Sequence, residues 1–275
     1  MGIGVQLGIQ KMSVFDLQDK IAIVTGGGSG IGASISKAYA IAGAHVVVAA
    51  RKKDRLEKVA AEVEALGSQA MVVVTDVTVP DQVENLIQQT LDKFGRIDIM
   101  VANAGGGGSP PVEKATLEQW NDQIALNLNS AFLCDVAAGK VMMEQKSGKV
   151  INVASTAGIN LNPGLAAYAA AKAGMINLTK SLAVIWARHN INVNCIAPGF
   201  TATEGIRKAG IVPSDTREDG TLVPKLLLPN EPEHVADLAV FLASEASSHV
   251  TGELMIIRGM FHMERSDDFL RDRKL

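Results

Sequence analysis

Short apolar runs rich in β-branched residues recur along this chain, and between them lie stretches whose apolar residues repeat with the period of a helix. That alternation leaves few folds open. A strand that reads as continuously apolar is covered on both faces, and a parallel neighbour is reached only through a crossover, usually a helix. The strand-like runs are residues 20–25, 45–50, 70–75, 97–102, 149–155, 191–196 and 253–257. The helical stretches are 33–42, 54–66, 80–94, 117–144, 168–189 and 233–242, the fourth of them expected to break near Asn127 to Asn129. The pattern predicts an α/β fold, a single-domain, Rossmann-type doubly wound parallel sheet flanked by helices. A chain of 275 residues suits one such domain, and 47% hydrophobic residues can fill its core.

Composition narrows the partners. A net charge of −3 gives no reason to expect nucleic acid or an anionic membrane. No apolar run reaches the ~18 residues that span a bilayer. Cys134 and Cys195 stand far apart in apolar surroundings, which suits buried thiols in a reducing cytoplasm rather than a disulfide or a metal site. The first thirteen residues lack the basic front and cleavage pattern of a signal peptide. Residues 1–15 are read as a flexible extension, 16–263 as the domain, and 264–275 as a charged tail that frays. Residues 200–229 have no clean period and read as a substrate lid.

The first strand runs directly into Gly26-Gly-Gly-Ser29-Gly30-Ile31-Gly32 and then a helix. Glycines there allow close backbone approach, and the helix start offers free N–H groups to a phosphate. The end of the second strand distinguishes the two nicotinamide dinucleotides: a carboxylate would hold ribose hydroxyls, an arginine a 2′-phosphate. Here it reads Ala50-Arg51-Lys52-Lys53, so Arg51 is the candidate phosphate contact. Asp76 and Val77 follow the third strand, and Asn103-Ala104-Gly105 opens a glycine-rich turn after the fourth. Such strand ends carry the ligand contacts of open α/β sheets. Asn127 is either a satisfied core amide or a site residue. Tyr168 and Lys172 lie four apart on one helix and so share a face, with Ser155 thirteen residues upstream. A nearby ammonium favours the phenolate, so Lys172 is expected to lower the tyrosine pKa toward that of a working acid/base.

In order and spacing, Thr25-Gly26-x-x-x-Gly30-x-Gly32, Asp76, Asn103-Ala104-Gly105, Asn127, Ser155, Tyr168-x-x-x-Lys172 and Pro198-Gly199 resemble the short-chain dehydrogenase/reductase family, over residues 16–263. The resemblance implies an NADP cofactor, with NAD as the alternative, and no metal. It implies Tyr168 as general acid/base, Ser155 as the hydrogen-bond donor to the substrate oxygen, and Lys172 as holder of the nicotinamide ribose. Asn127 would steady a water linking Lys172 to solvent, Asp76 would meet the adenine, and Thr203, with Thr201 nearby, would meet the carboxamide. Ala102 stands where the family often has asparagine, and Arg258-Gly259-Met260 stands where many members have Asp-Gly-Gly.

The implied reaction is hydride transfer between the dinucleotide and a small-molecule alcohol or ketone. The ending Gly259-Met-Phe-His-Met263 is similar to that of 3-oxoacyl-carrier-protein reductases, with Lys146, Lys149 and Arg188 as a basic patch for an acidic carrier. A dinucleotide sensor without catalysis is the third reading. Apolar residues around 126–143 and 175–186 point to a homo-oligomer, and the family implies a dimer or homotetramer.

Overall fold

The structure, a computed structural model, describes residues 13–108, 110–160, 163–217 and 219–260. The expected N-terminal extension lies outside them through residue 12, as do the charged tail and residues 261–263 of the reductase-like ending. Val14 and Phe15 lie inside. The carbonyl of Val14 accepts from Ala246 N at 3.1 Å, and the Phe15 ring lies 6.5 Å from that of Phe241.

Each apolar run forms a strand: β1 Ile21–Thr25, β2 His45–Ala50, β3 Ala70–Val74, β4 Ile99–Ala102, β5 Gly148–Val153, β6 Ile191–Pro198 and β7 Leu254–Ile257. All pairings are parallel, in the order β3-β2-β1-β4-β5-β6-β7. β4 starts two residues later than its apolar run. Asp98 turns its carboxylate to Ile21 N (2.9 Å) and to Arg96, which caps the start of β1 instead of extending β4.

The helices are α1 Gly30–Ile41, α2 Lys53–Ala65, α3 Pro80–Phe94, α4 Leu117–Ile124, α5 Ser130–Gln145, α6 Ala166–Trp186, α7 Glu204–Lys208 and α8 Pro232–Ala243. Side-chain alternation along the strands feeds two cores. Ala22 and Val24 of β1 pack with α1, α2 and α8, whereas Ile23 packs on the side of α3, α5 and α6. Both faces are therefore apolar, as a doubly covered parallel sheet requires. The break expected near Asn127 is a π-helical turn, Ala125–Asn129, joining α4 to α5 without interrupting the chain. Such turns concentrate at functional sites.

Residues 200–229 hold more structure than their sequence suggests. They contain α7, a 3₁₀ turn at Lys225–Leu227 and an isolated antiparallel bridge between Thr216 and Leu222. Five helical residues are too few to display a period. The segment is pinned at its far end by Asn230, whose amide donates to Ile257 O (2.8 Å) and accepts from Gly259 N (3.1 Å). Among the described residues no helix is long and apolar enough to cross a membrane.

Candidate active site

Strand order reverses at β1, which lies between β2 and β4, and a crevice opens beyond the carboxyl ends there. Thr25 ends β1 and organises the crevice floor. Its hydroxyl donates to Val101 O (3.1 Å) and accepts from the backbone N–H groups of Asn103 (3.0 Å) and Ala104 (3.1 Å). Asn103 Nδ2 donates to Thr25 O at 2.8 Å. The turns after β1 and β4 are thereby locked together. The first works only with glycine. Gly26 has φ +64°, and a side chain on Gly32 would collide with Gly26 O and with Asn103 Nδ2.

The result is a cleft of about 1010 Å³ running from the glycine turn to Tyr168. Of the expected residues, Gly26, Ser29 to Gly32, Asn103 to Gly105, Tyr168, Lys172, Gly199, Thr201 and Thr203 line it. Thr203 stands over Gly30 and heads α7, which closes one side. Pro198 ends β6 just before the lining begins.

Asp76, Val77, Arg51, Asn127 and Ser155 lie outside the lining. The Asp76 carboxylate accepts from the hydroxyl (2.7 Å) and the N–H (3.0 Å) of Thr78, which hold its pKa low, with a smaller contribution from the Arg51 charge. Val77 is buried in the core. Besides Lys172, the cleft is lined by cations the sequence reading missed: Lys37 of α1, Arg55 and Lys58 of α2, and Arg207 and Lys208 of α7, with Lys37 paired to Glu62, Arg207 to Glu231 and Lys208 to Glu204. Arg55 Cβ lies 3.2 Å from where a side chain on Gly28 would begin. The spacing of Arg55, Lys58 and Glu62 on one helical face was the available signal.

Ser155 has extended backbone just past β5, and its hydroxyl accepts from Ala157 N at 3.1 Å. The same hydroxyl is near enough to Tyr168 to exert a lowering influence on the phenol's pKa. Lys172 is buried, and its ammonium donates to Val153 O at 2.8 Å and lies 5.8 Å from the centre of the Tyr168 ring. Burial lowers the Lys172 pKa to about 8, opposed by the neighbouring Cys195. The expected lowering of the Tyr168 pKa is not what the structure gives. Burial raises it, and the opposing influence comes from the nearby Ser155 hydroxyl rather than from Lys172.

Asn127, on the π turn, is fully buried beneath the glycine loop. It accepts from Gly106 N (2.9 Å) and donates to Gly106 O (3.0 Å) and to Gln123 (3.1 Å to each oxygen). A side chain on Gly105 would meet Asn127 Oδ1 at 2.8 Å and Lys172 Nζ at 3.3 Å, so the loop passes directly over both.

A nucleotide cleft at the switch point, ending at a hydroxyl, a phenol and an ammonium, marks the Rossmann class of oxidoreductases. Residues 20–210 match the short chain dehydrogenase family, and the chain belongs to that family. It is an oxidoreductase acting on CH–OH or keto groups. It is 40% identical over 245 residues to a 3-oxoacyl-[acyl-carrier-protein] reductase of Synechocystis sp., covering 88% of this chain and 97% of that one. It is 36% identical over 250 residues to 3-oxoacyl-[acyl-carrier-protein] reductase FabG of Escherichia coli, covering 90% and 99%. Among solved structures, a short-chain type dehydrogenase/reductase from Mycobacterium marinum aligns with a TM-score of 0.81 at 36% identity, covering 90% of this chain and 98% of that one. A 7 alpha-hydroxysteroid dehydrogenase complexed with NADH and 7-oxo glycochenodeoxycholic acid aligns at 0.80 and 30%, covering 89% and 95%.

Proposed function

We propose that this chain is an NADP(H)-preferring reductase that interconverts a ketone and a secondary alcohol, with Tyr168 as general acid/base. The observation that carries the reading is that Tyr168 and Lys172 line the inner end of the glycine-lined cleft, with Ser155 beside Tyr168 just behind it. The residues present fit a dinucleotide. Gly26 and Gly32 leave room for close approach, the first turn of α1 holds no acidic residue, and Arg55 and Lys58 line the outer cleft together with the ion-paired Lys37, Arg207 and Lys208. When bound, the dinucleotide supplies or accepts the hydride. Tyr168 gives its proton to the substrate oxygen in reduction and recovers it in oxidation. Ser155 hydrogen-bonds the same oxygen as charge builds on it. Lys172, fastened to Val153 O, would hold the cofactor's ribose, and Asn127 keeps the Gly105–Gly106 loop seated above it. Arg55, Lys58 and Lys37, with Arg51 beside Asp76, suit the extra phosphate of NADP.

A second, narrower reading takes the ketone to be a 3-oxoacyl thioester on an acyl carrier, and the relatives at 36–40% identity, which are 3-oxoacyl-[acyl-carrier-protein] reductases, favour it. The basic patch once suited to that carrier does not support it. Lys149 sits at the start of β5 and Arg188 just before β6, at the edge of the sheet opposite the cleft. A six-residue strand separates the two edges by about 20 Å. The same reading includes a homodimer or homotetramer through α5 and α6, in a cytoplasm that keeps Cys134 and Cys195 as thiols.

The test is NADPH oxidation by the purified protein with 3-oxoacyl thioesters and with simple and cyclic ketones. Turnover of a ketone, with NADPH favoured over NADH by about tenfold or more, supports the first reading. Higher kcat/KM for the thioesters than for every other ketone supports the second, and the reverse order rejects it. Absence of turnover in both directions rejects both.

A further inference from the structure

A buried polar chain runs beneath the site that hydride transfer does not use. Asp135 of α5 and Asn152 of β5 are both fully buried, and Asn152 Nδ2 donates to Asp135 Oδ2 at 2.9 Å. The same nitrogen donates to Thr179 Oγ1 of α6 at 3.1 Å. Thr179 has no proton to return, because its hydroxyl donates to Met175 O at 2.9 Å. The Asn152 amide orientation is therefore fixed, with nitrogen toward both partners. Two acceptors are left over on the joined pair. Asp135 Oδ1 and Asn152 Oδ1 are buried, and neither meets a donor among the described residues. Orphaned buried acceptors are costly, and an ionised buried carboxylate far more so.

We propose that Asp135 is a positioning residue carried as a neutral carboxylic acid, whose proton is donated to Asn152 Oδ1, locking β5 beneath Val153 O and Ser155. One proton supplies the donor that both orphans lack. It closes a reciprocal pair in which the amide gives N–H and the acid gives O–H. Burial acts in the same direction, pushing the Asp135 pKa up to about 7 against the Asn152 hydrogen bond. The titratable groups facing it are the buried thiols of Cys134 on α5 and Cys195 on β6, with Lys172 of α6 beyond Cys195. Both thiols are pushed up by burial and stay neutral with it. The pair bears on the site because Asn152 directly precedes Val153, whose carbonyl holds the Lys172 ammonium. That functional half rests on the reading of Lys172 and Ser155 given above, while the protonation state does not.

Asp135→Asn separates the two states of the acid. An amide reproduces a protonated carboxyl by placing NH₂ against Asn152 Oδ1 and C=O against Asn152 Nδ2, but it cannot reproduce a carboxylate. Infrared spectra of the wild-type protein at neutral pH are expected to show a protonated-carboxyl band that D135N lacks and that fades as pH rises through about 7. The wild type should also lose melting temperature relative to D135N between pH ~4, the ordinary carboxylate value, and about 7. The folded state holds the proton more tightly than the unfolded chain, so stability falls as pH rises through that window. For the positioning role, wild-type reductase activity should lose a limb near pH 7 that D135N does not show. A missing carboxyl band in the wild type, a measurement needing no variant, overturns the neutral acid, as does a D135N protein less stable at every pH. Superimposable pH–rate profiles overturn the positioning role alone, and inactivity of both proteins with a sound infrared band would count against the proposed function rather than the acid.

Discussion

Tyr168 works against its own burial. The half-buried phenol has its pKa raised, and Ser155 offsets this only in part. A raised pKa keeps the proton on Tyr168 across neutral pH, which is the form reduction consumes. Reduction should therefore hold through neutral pH and fall only on the alkaline side, while alcohol oxidation, which needs the phenolate, should climb with pH. Initial rates in both directions from pH 6 to pH 10 would check this, and an oxidation rate that peaks below neutral would contradict it. Tyr168→Phe removes the proton and keeps the ring that packs beside Lys172. We expect kcat to fall by about 10²–10⁴ while NADPH binding, followed by fluorescence, survives. Equal loss of binding and turnover would recast Tyr168 as a cofactor contact only.

At the scale of elements, the cleft is a joint product of α1, α2 and α7. Arg55 and Lys58 of α2 face Glu204 of α7 across the opening, and their charge helps hold that exposed carboxylate ionised after its closer partner Lys208. Arg207 grips Glu231 through two bonds of 2.5 and 2.6 Å and also donates to Ala202 O (3.1 Å), tying α7 to the start of α8. The pair of substitutions R51A and R55A should then weaken NADPH by about tenfold or more and leave NADH nearly unchanged, each alone giving part of the loss. Unchanged NADPH binding in the double variant would place the phosphate elsewhere. Much of this frame was legible in the sequence. Buried strands advertise themselves by apolar runs, and Thr25, Asn103, Ser155, Tyr168 and Lys172 stand at the strand ends or on the helix where spacing put them. What was not legible depends on neighbours far along the chain. Arg55 enters the cleft because Gly28 has no side chain in its way, α7 is too short for a period, and the Tyr168 pKa is governed by burial.

For the whole molecule, the outer faces of α5 and α6 set the last expectation. Their inner faces fill the core with Cys134, Ala138, Met142, Leu182 and Trp186. Their outer faces are mixed, with Lys140, Glu144, Asn177 and Lys180 exposed beside Phe132 at 48%, Val184 at 80% and Ile185 at 52%. Large apolar side chains left exposed together offer a second burial surface. Two copies related by a two-fold axis would bury the same patch twice. Lys172 and Asp135 are carried on the inner sides of these helices, so such a contact would stiffen the floor of the site from outside. Val184→Lys tests it cleanly. At 80% exposure the residue contributes little to the monomer, and surface changes of this kind stay within about 0.5 kcal/mol. In an isologous dimer the new charges would meet or be buried on both sides. Sedimentation of the wild type should exceed the 29.0 kDa of one chain, and the Val184→Lys protein should shift toward that mass with its melting temperature falling alongside. A wild type that sediments as a single chain at micromolar concentration would remove the oligomer from the reading and leave the α6 face as ordinary exposed surface.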